Sequence, residues 1–117
     1  MSSIVLVVAD EETVLHFVEQ VLRRGGFNVE SVCDSVTAAD RIAKSRYDAI
    51  FLDSADAMTF LRYLQSADAS LLSRTVLATS RPRDAARREV REICRVITKP
   101  FDARRLLDAV SECLSAA

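Results

Sequence analysis

Ile4-Val5-Leu6-Val7-Val8-Ala9 is an unbroken apolar run, and Asp10-Glu11-Glu12 follows it at once. A strand that is apolar at every position, rather than at alternate ones, is one buried on both faces of a sheet. The three acids suit the first turn of a helix, where the positive end of the helix dipole favours carboxylates. Val14, Phe17, Val18, Val21 and Leu22 continue at helical spacing, and Gly25-Gly26 stops the run.

The same alternation recurs down the chain. Phe27-Asn28-Val29-Glu30-Ser31-Val32 reads as a second strand, and Asp34 or Ser35 can cap a second helix with Val36, Ala39, Ile42 and Ala43 on its inner face. Ala49-Ile50-Phe51-Leu52 is a third strand with Asp53 directly at its end, and Phe60, Leu61 and Leu64 mark one face of a third helix. Thr75-Val76-Leu77-Ala78-Thr79 is a fourth strand. Ser80-Arg81-Pro82 breaks the chain, and an arginine-rich fourth helix is expected over about 83–92. Ile93-Cys94-Arg95-Val96-Ile97 is a fifth strand ended by Lys99-Pro100. Asp102 can cap a last helix with Leu106, Leu107, Val110 and Leu114 inside. Five strand–helix units predict an α/β fold, (βα)5, with a parallel sheet covered on both faces and one domain over residues 1–117.

The composition agrees with a packed domain. Half of the 117 residues are apolar and 28% are charged, which excludes a disordered tail. No apolar run approaches the roughly 20 residues needed to cross a bilayer, and no basic segment followed by a long apolar stretch opens the chain. A soluble, cytoplasmic protein without membrane association is expected. The net charge of −1 gives no broad attraction to nucleic acid. The charge is unevenly spread: residues 1–58 carry ten acids and five bases, residues 59–117 seven acids and eleven bases. Cys33, Cys94 and Cys113 are an odd, widely spaced set with one histidine, His16, in the whole chain. This excludes a zinc site and predicts free, buried thiols.

In parallel sheets ligands bind beyond the carboxyl ends of the strands, where the strand order reverses. Asp10 and Glu11 stand after strand one, Asp53 after strand three, Thr79 at the end of strand four, and Lys99 after strand five. Taken singly, each has an ordinary structural explanation: helix-capping acids, a turn residue, a strand-end filler and a surface lysine. Taken together at separate strand ends they form a pocket with a chemistry. Clustered carboxylates repel and raise one another's pKa, and a hard divalent cation such as magnesium relieves that. Lys99 adds a point charge and Thr79 a hydroxyl, so the pocket would stabilise a phosphoryl group. Asp53, alone at its strand tip beside the small Ser54 and Ala55, is the candidate nucleophile that would form an acyl phosphate.

The segments Val7-Val8-Ala9-Asp10-Glu11, Gly25-Gly26-Phe27-Asn28-Val29, Asp48-Ala49-Ile50-Phe51-Leu52-Asp53, Val76-Leu77-Ala78-Thr79-Ser80 and Thr98-Lys99-Pro100-Phe101 resemble, in order and spacing, the receiver domain of bacterial two-component response regulators. The resemblance covers about residues 3–115. It implies a flavodoxin-like fold, a three-layer sandwich with strand order 2-1-3-4-5. It also implies phosphorylation of Asp53 by a sensor histidine kinase or phosphotransfer protein, with Mg²⁺ as cofactor. Lys99 matches the family lysine, whose bond to the following proline is often cis, and Thr79 the switch hydroxyl. Asp10 matches a direct metal ligand, Asp53 a second, and the backbone carbonyl of Ala55 a third. The face of the fourth helix, fifth strand and fifth helix would change its affinity for a downstream protein, or pair with a second copy of the chain.

Four features depart from the family pattern. The acidic pair falls on Ala9-Asp10 when the first helix is aligned without a gap, which implies weakened Mg²⁺ binding. A one-residue shift would pair Asp10 with Glu11 instead. The loop Ser54-Ala55-Asp56-Ala57-Met58 lacks the family's Pro-Gly. The aromatic switch residue is replaced by Val96, and the fourth helix carries Arg81, Arg83, Arg87, Arg88 and Arg91. Ala55 and Arg81 fall where the family tunes hydrolysis of the acyl phosphate. Since Ala55 cannot position a water, a long-lived phosphoaspartate is expected. The competing expectation is a phosphorylation-independent pseudo-receiver, an interaction module whose arginine-rich helix meets an acidic partner. A flavin or nucleotide domain on the same fold lacks support, because no glycine-rich loop follows strand one.

Overall fold

The computed structural model describes residues 3–115. Its elements run β1 (Ile4–Ala9), α1 (Glu12–Arg24), β2 (Asn28–Val32), α2 (Ser35–Lys44), β3 (Ala49–Asp53), α3 (Ala57–Ala67), a 3-10 segment (Ala69–Arg74), β4 (Thr75–Thr79), two short 3-10 turns (Pro82–Ala86 and Arg88–Val90), β5 (Arg95–Thr98) and α4 (Ala103–Ser115). The five strands are parallel in the order β2-β1-β3-β4-β5. The flavodoxin-like arrangement expected from the sequence is therefore the observed one.

Strand alternation divides the core in two. Leu6, Val8, Ile50, Leu52 and Leu77 face one side, where they meet Ala38 of α2, Phe60, Leu61 and Leu64 of α3, and Leu71 and Leu72. Val5, Val7, Phe51, Val76 and Ala78 face the other, against Val18 and Leu22 of α1 and Leu106 and Val110 of α4. Every residue of β3 and β4 is buried, which is why Ala49–Leu52 and Val76–Ala78 are apolar without interruption, while the buried Thr75 hydroxyl donates to the Leu71 carbonyl. Gly26, at φ +95°, turns the chain from α1 into β2. Gly25 lies so close to α4 that a Cβ there would stand 2.5 Å from Leu107 Cδ2.

The helix starts follow the expected chemistry. Asp34 accepts from Thr37 N–H at 2.7 Å and Asp102 from Arg105 N–H at 2.8 Å. His16 sits on the polar side of α1 between Glu12 and Glu19.

Three expectations are corrected. The arginine-rich segment is not a helix over 83–92 but the two 3-10 turns. Its buried residues are only Asp84 and Val90, so it has no apolar stripe to pack, and tertiary packing is what stabilises most helices. The inner face of α2 is rotated from the expected one: Ala38 is fully buried, whereas Val36 is 81% exposed and Ala43 is exposed. The thiols are not all free and buried. Cys94 and Cys113 form a disulfide with Cα atoms 5.7 Å apart, because α4 lays its inner face over the start of β5. Cys33 is free and exposed.

The disulfide makes a prediction. Alkylation of the denatured, unreduced protein should label Cys33 alone, and reduction should expose two further thiols. Closing a loop of 19 residues should contribute about 3 kcal/mol, so dithiothreitol should lower Tm in a calorimetric scan. Three alkylated thiols without reduction would refute it.

Candidate functional site

The carboxyl ends of β1, β3, β4 and β5 surround a cleft of about 220 Å³ lined by Asp10, Glu11, Asp53, Thr79, Asp84 and Lys99 among others. It opens where the order reverses, between β1, whose next strand lies to one side, and β3, which lies to the other. The backbone builds it before any side chain does. Ala9 is level with Asp53 across the β1–β3 pairing, and Asp10 N–H donates to the Asp53 carbonyl at 3.3 Å. Lys99 N–H donates to the Thr79 carbonyl at 2.8 Å, which fixes the end of β5 against the end of β4. The Lys99-Pro100 bond is cis.

Asp53 is 7% exposed. The Lys99 ammonium donates to both of its carboxylate oxygens, at 3.0 Å to Oδ1 and 3.1 Å to Oδ2. Burial pushes the Asp53 carboxyl above its ordinary range, Lys99 pulls it back, and Asp10 and Glu11 add to the rise. Burial outweighs the lysine, so the net shift is upward.

Asp10 is held from the neighbouring loop: its Oδ2 accepts from Ala55 N–H at 2.9 Å. Glu11 leans towards Lys99, at 3.9 Å from its Nζ. The loop itself is tied down by Asp56, which accepts from Ser54 and, at 2.6 Å, from Ser35 at the start of α2. These two hydroxyls hold the Asp56 carboxyl below its usual range. Val96 is half-buried and packs into the core on the α2–α3 side, with no ring to turn.

Thr79 lines the same cleft as Asp53, but its hydroxyl is engaged elsewhere. Alternation gives it the parity of Leu77, on the α2–α3 side, whereas Asp53 has the parity of Phe51, on the α1–α4 side. Its hydroxyl donates at 2.6 Å to Asp84, a residue that sequence reasoning missed. Nothing periodic marks Asp84. It is one of two acids among the five arginines of residues 81–91, in a segment whose fold is a pair of tight turns.

The donors around Asp53 suit a small hard cation. Asp10 and Asp53 supply carboxylate oxygens, and magnesium is commonly bound through one or two carboxylates with water completing its shell. Among the described residues no group of three or more histidine, cysteine or acidic side chains is gathered closely enough to hold a metal. Glu11 stands beside the ammonium, 3.9 Å from its Nζ, so Asp10 and Asp53 are the carboxylates left to offer a metal.

The response regulator receiver domain family model matches residues 5–111. The chain is 36% identical over 72 residues to a protein-glutamate methylesterase/protein-glutamine glutaminase 1 of Anaeromyxobacter dehalogenans (strain 2CP-C). That stretch is 58% of this chain and 21% of the relative, so the chain spans about a fifth of the curated relative's length. In fold it is similar to the chemotaxis response regulator CheY4 of Vibrio cholerae, with a TM-score of 0.84, 21% identity, and coverage of 97% of this chain and 100% of that one. A signal receiver domain of an HD domain-containing protein from Pseudomonas fluorescens Pf-5 gives 0.84 at 24% identity, covering 99% and 97%. NtrX from Brucella abortus gives 0.87 at 24% identity, covering 99% of this chain and 27% of that one.

The raised Asp53 pKa has a sign that can be checked. The folded protein holds this proton more tightly than the unfolded chain does. The stability it contributes is therefore full below the ordinary value of 3.8 and is lost as pH rises through the raised value. Asp53→Asn, which mimics the protonated acid, should raise Tm in metal-free buffer at neutral pH. The gain should shrink as the buffer is acidified towards the ordinary carboxylate range. A lowered neutral-pH Tm would contradict it.

Proposed function

The chain belongs to the response regulator receiver domain family, and from that premise we propose that Asp53 accepts a phosphoryl group from a phosphohistidine in two-component signal transduction. The observation that carries this is the pair of bonds from Lys99 to the one carboxylate buried at a strand tip, inside a cleft with a hydroxyl and a second carboxylate on its rim.

In the step itself an Asp53 oxygen attacks phosphorus. The phosphorus–nitrogen bond of the donor breaks, the imidazole leaves with its electron pair and takes up a proton, and a mixed anhydride forms on Asp53. No oxidation or reduction is involved. Lys99, released from one oxygen, pairs with the new negative charge. Thr79 has a hydroxyl within the same cleft to offer a phosphoryl oxygen. Asp10, Asp53 and the Ala55 carbonyl are the groups that would hold Mg²⁺, whose charge would offset that of the incoming phosphoryl oxygens. The domain is a signalling device, and the esterase activity in the name of its relative is no part of this proposal.

A histidine kinase or phosphotransfer protein is the partner on the input side. On the output side the two 3-10 turns, β5 and α4 form the face that a downstream protein, or a second copy of the chain, would meet. Arg83, Arg87, Arg88 and Arg91 are exposed there, which favours an acidic partner.

Phosphorylation-independent binding is the second reading. Val96 favours it, because a half-buried aliphatic side chain has no ring to report the state of the cleft by rotating, and so does the engagement of Thr79 with Asp84.

Acetyl phosphate with Mg²⁺, followed by intact mass measurement, separates the two. The first reading expects an adduct of one PO₃ unit that is absent from Asp53→Asn. No adduct under any Mg²⁺ concentration would leave the second reading standing. Mg²⁺ alone should raise the Tm of the wild type and have little effect on Asp53→Asn, since a ligand that binds only the folded state stabilises it. With Ala55 unable to hold an attacking water, the adduct should persist after the donor is removed. Its rapid loss from purified phosphoprotein would refute that expectation.

A further inference from the structure

A threonine hydroxyl has one proton to donate. In this protein the Thr79 proton goes to Asp84 Oδ2 at 2.6 Å, while Thr79 Oγ1 accepts Arg81 N–H at 3.0 Å. Asp84 is only 7% exposed. Its nearest cation is the Arg81 guanidinium at 3.7 Å, on a side chain that is 77% exposed and so largely in water. A carboxylate this enclosed depends on its hydrogen bonds. The Thr79 hydroxyl is its close partner, and the two side chains share one wall of the cleft that holds Asp53.

We propose that Asp84 is a positioning residue that holds the Thr79 hydroxyl away from Asp53 in the resting protein. A phosphoryl group on Asp53 would draw the hydroxyl off Asp84 and so release the arginine-bearing turns. This rests on Asp53 being the phosphoacceptor.

One donor proton cannot serve both acceptors, so the two contacts exclude each other. A phosphoryl group brings three acceptor oxygens into the cleft where a single carboxylate stood. The consequence passes along the backbone. Asp84 lies in the turn Pro82–Ala86, which is otherwise held by local bonds, Asp84 N–H to the Arg81 carbonyl and Arg87 N–H to the Asp84 carbonyl. The next anchor is at Val90 and Glu89, the latter bonded to Arg62 at 2.6 Å. Between these two anchors lie Arg87 and Arg88, and Arg83 directly precedes the first; all three are exposed. Removing the first anchor frees one end of that stretch. Asp84 thereby gives the cleft a mechanical link to the arginine surface that Val96, having no ring, does not provide.

The arginines themselves supply the measurement, as limited tryptic cleavage after Arg83, Arg87 and Arg88 scored by mass. Cleavage of a folded chain follows the population of its open form. In the wild type, acetyl phosphate with Mg²⁺ should raise it roughly tenfold, the factor for losing one charge-assisted hydrogen bond. Asp84→Ala should be cleaved at the raised rate without phosphate and show no further rise with it. Asp84→Asn keeps an acceptor oxygen and should stay near the wild type. Thr79→Val should be cleaved fast, and adding Asp84→Ala to it should change nothing more. The proposal falls if resting Asp84→Ala is cleaved like the wild type. It also falls if Asp84→Ala adds its full effect in the Thr79→Val background, since Asp84 would then act without the hydroxyl. A wild type that carries the phosphoryl adduct with unchanged cleavage overturns the Asp84 link alone. A wild type that takes no adduct overturns the phosphoacceptor assignment and this link with it.

Discussion

A carboxylate at the tip of a fully buried strand is an expensive thing to fold, and Lys99 is what makes Asp53 tolerable there. The ammonium reaches both oxygens because β5 ends beside β4 and is tied to it through the Lys99 amide. Much of the remaining geometry serves that meeting. β1 must stop at Ala9, level with Asp53, so that Asp10 turns out over the loop, and the loop must be pinned by Asp56 and Ser35 so that Ala55 meets Asp10. Lysine only partly offsets the cost of burial, and the acids on the rim add to it. The site is therefore left with an unmet demand for positive charge, which is the property a cation would exploit.

Strand parity then separates two jobs. Asp53 shares its parity with Phe51 and Lys99 with Ile97, on the α1–α4 side, so the carboxylate and the ammonium meet. Thr79 shares its parity with Leu77 on the other side, where the short turns after β4 lie. Its hydroxyl is thus poised between the chemistry and the surface. The arginines belong to those turns, and the turns are tight rather than helical because Asp84 and Val90 are all they bury. A segment with so little packing is held by few contacts.

Much of this was legible in the chain. β1, β3 and β4 announced themselves because burial on both faces demands apolar residues along the body of the strand, and a demand repeated at successive positions survives local noise. Asp10, Asp53, Thr79 and Lys99 could be singled out because strand ends are where a parallel sheet exposes its chemistry. The phase of α2 was misjudged for a plain reason. Val36, Ala39 and Ala43 are apolar but small or weakly held, and Ala38 fits the sheet more closely, so the helix buries the smaller side chain and leaves Val36 in water. The expected fourth helix failed because arginine is a good helix former taken alone, while a helix in a domain needs a face to bury.

The order of apolar runs along the sequence determined the layers, the strand ends and the identity of the groups that could gather there, because those follow from periodicities of two and 3.6 residues and from the rule that buried backbone must be paired. Tertiary structure alone decided that Lys99 takes both oxygens of Asp53, that Thr79 is held by Asp84, and that Cys94 is joined to Cys113. Each of these contacts joins atoms whose separation depends on how two elements pack, and packing distance leaves no trace in the spacing of residues along a chain.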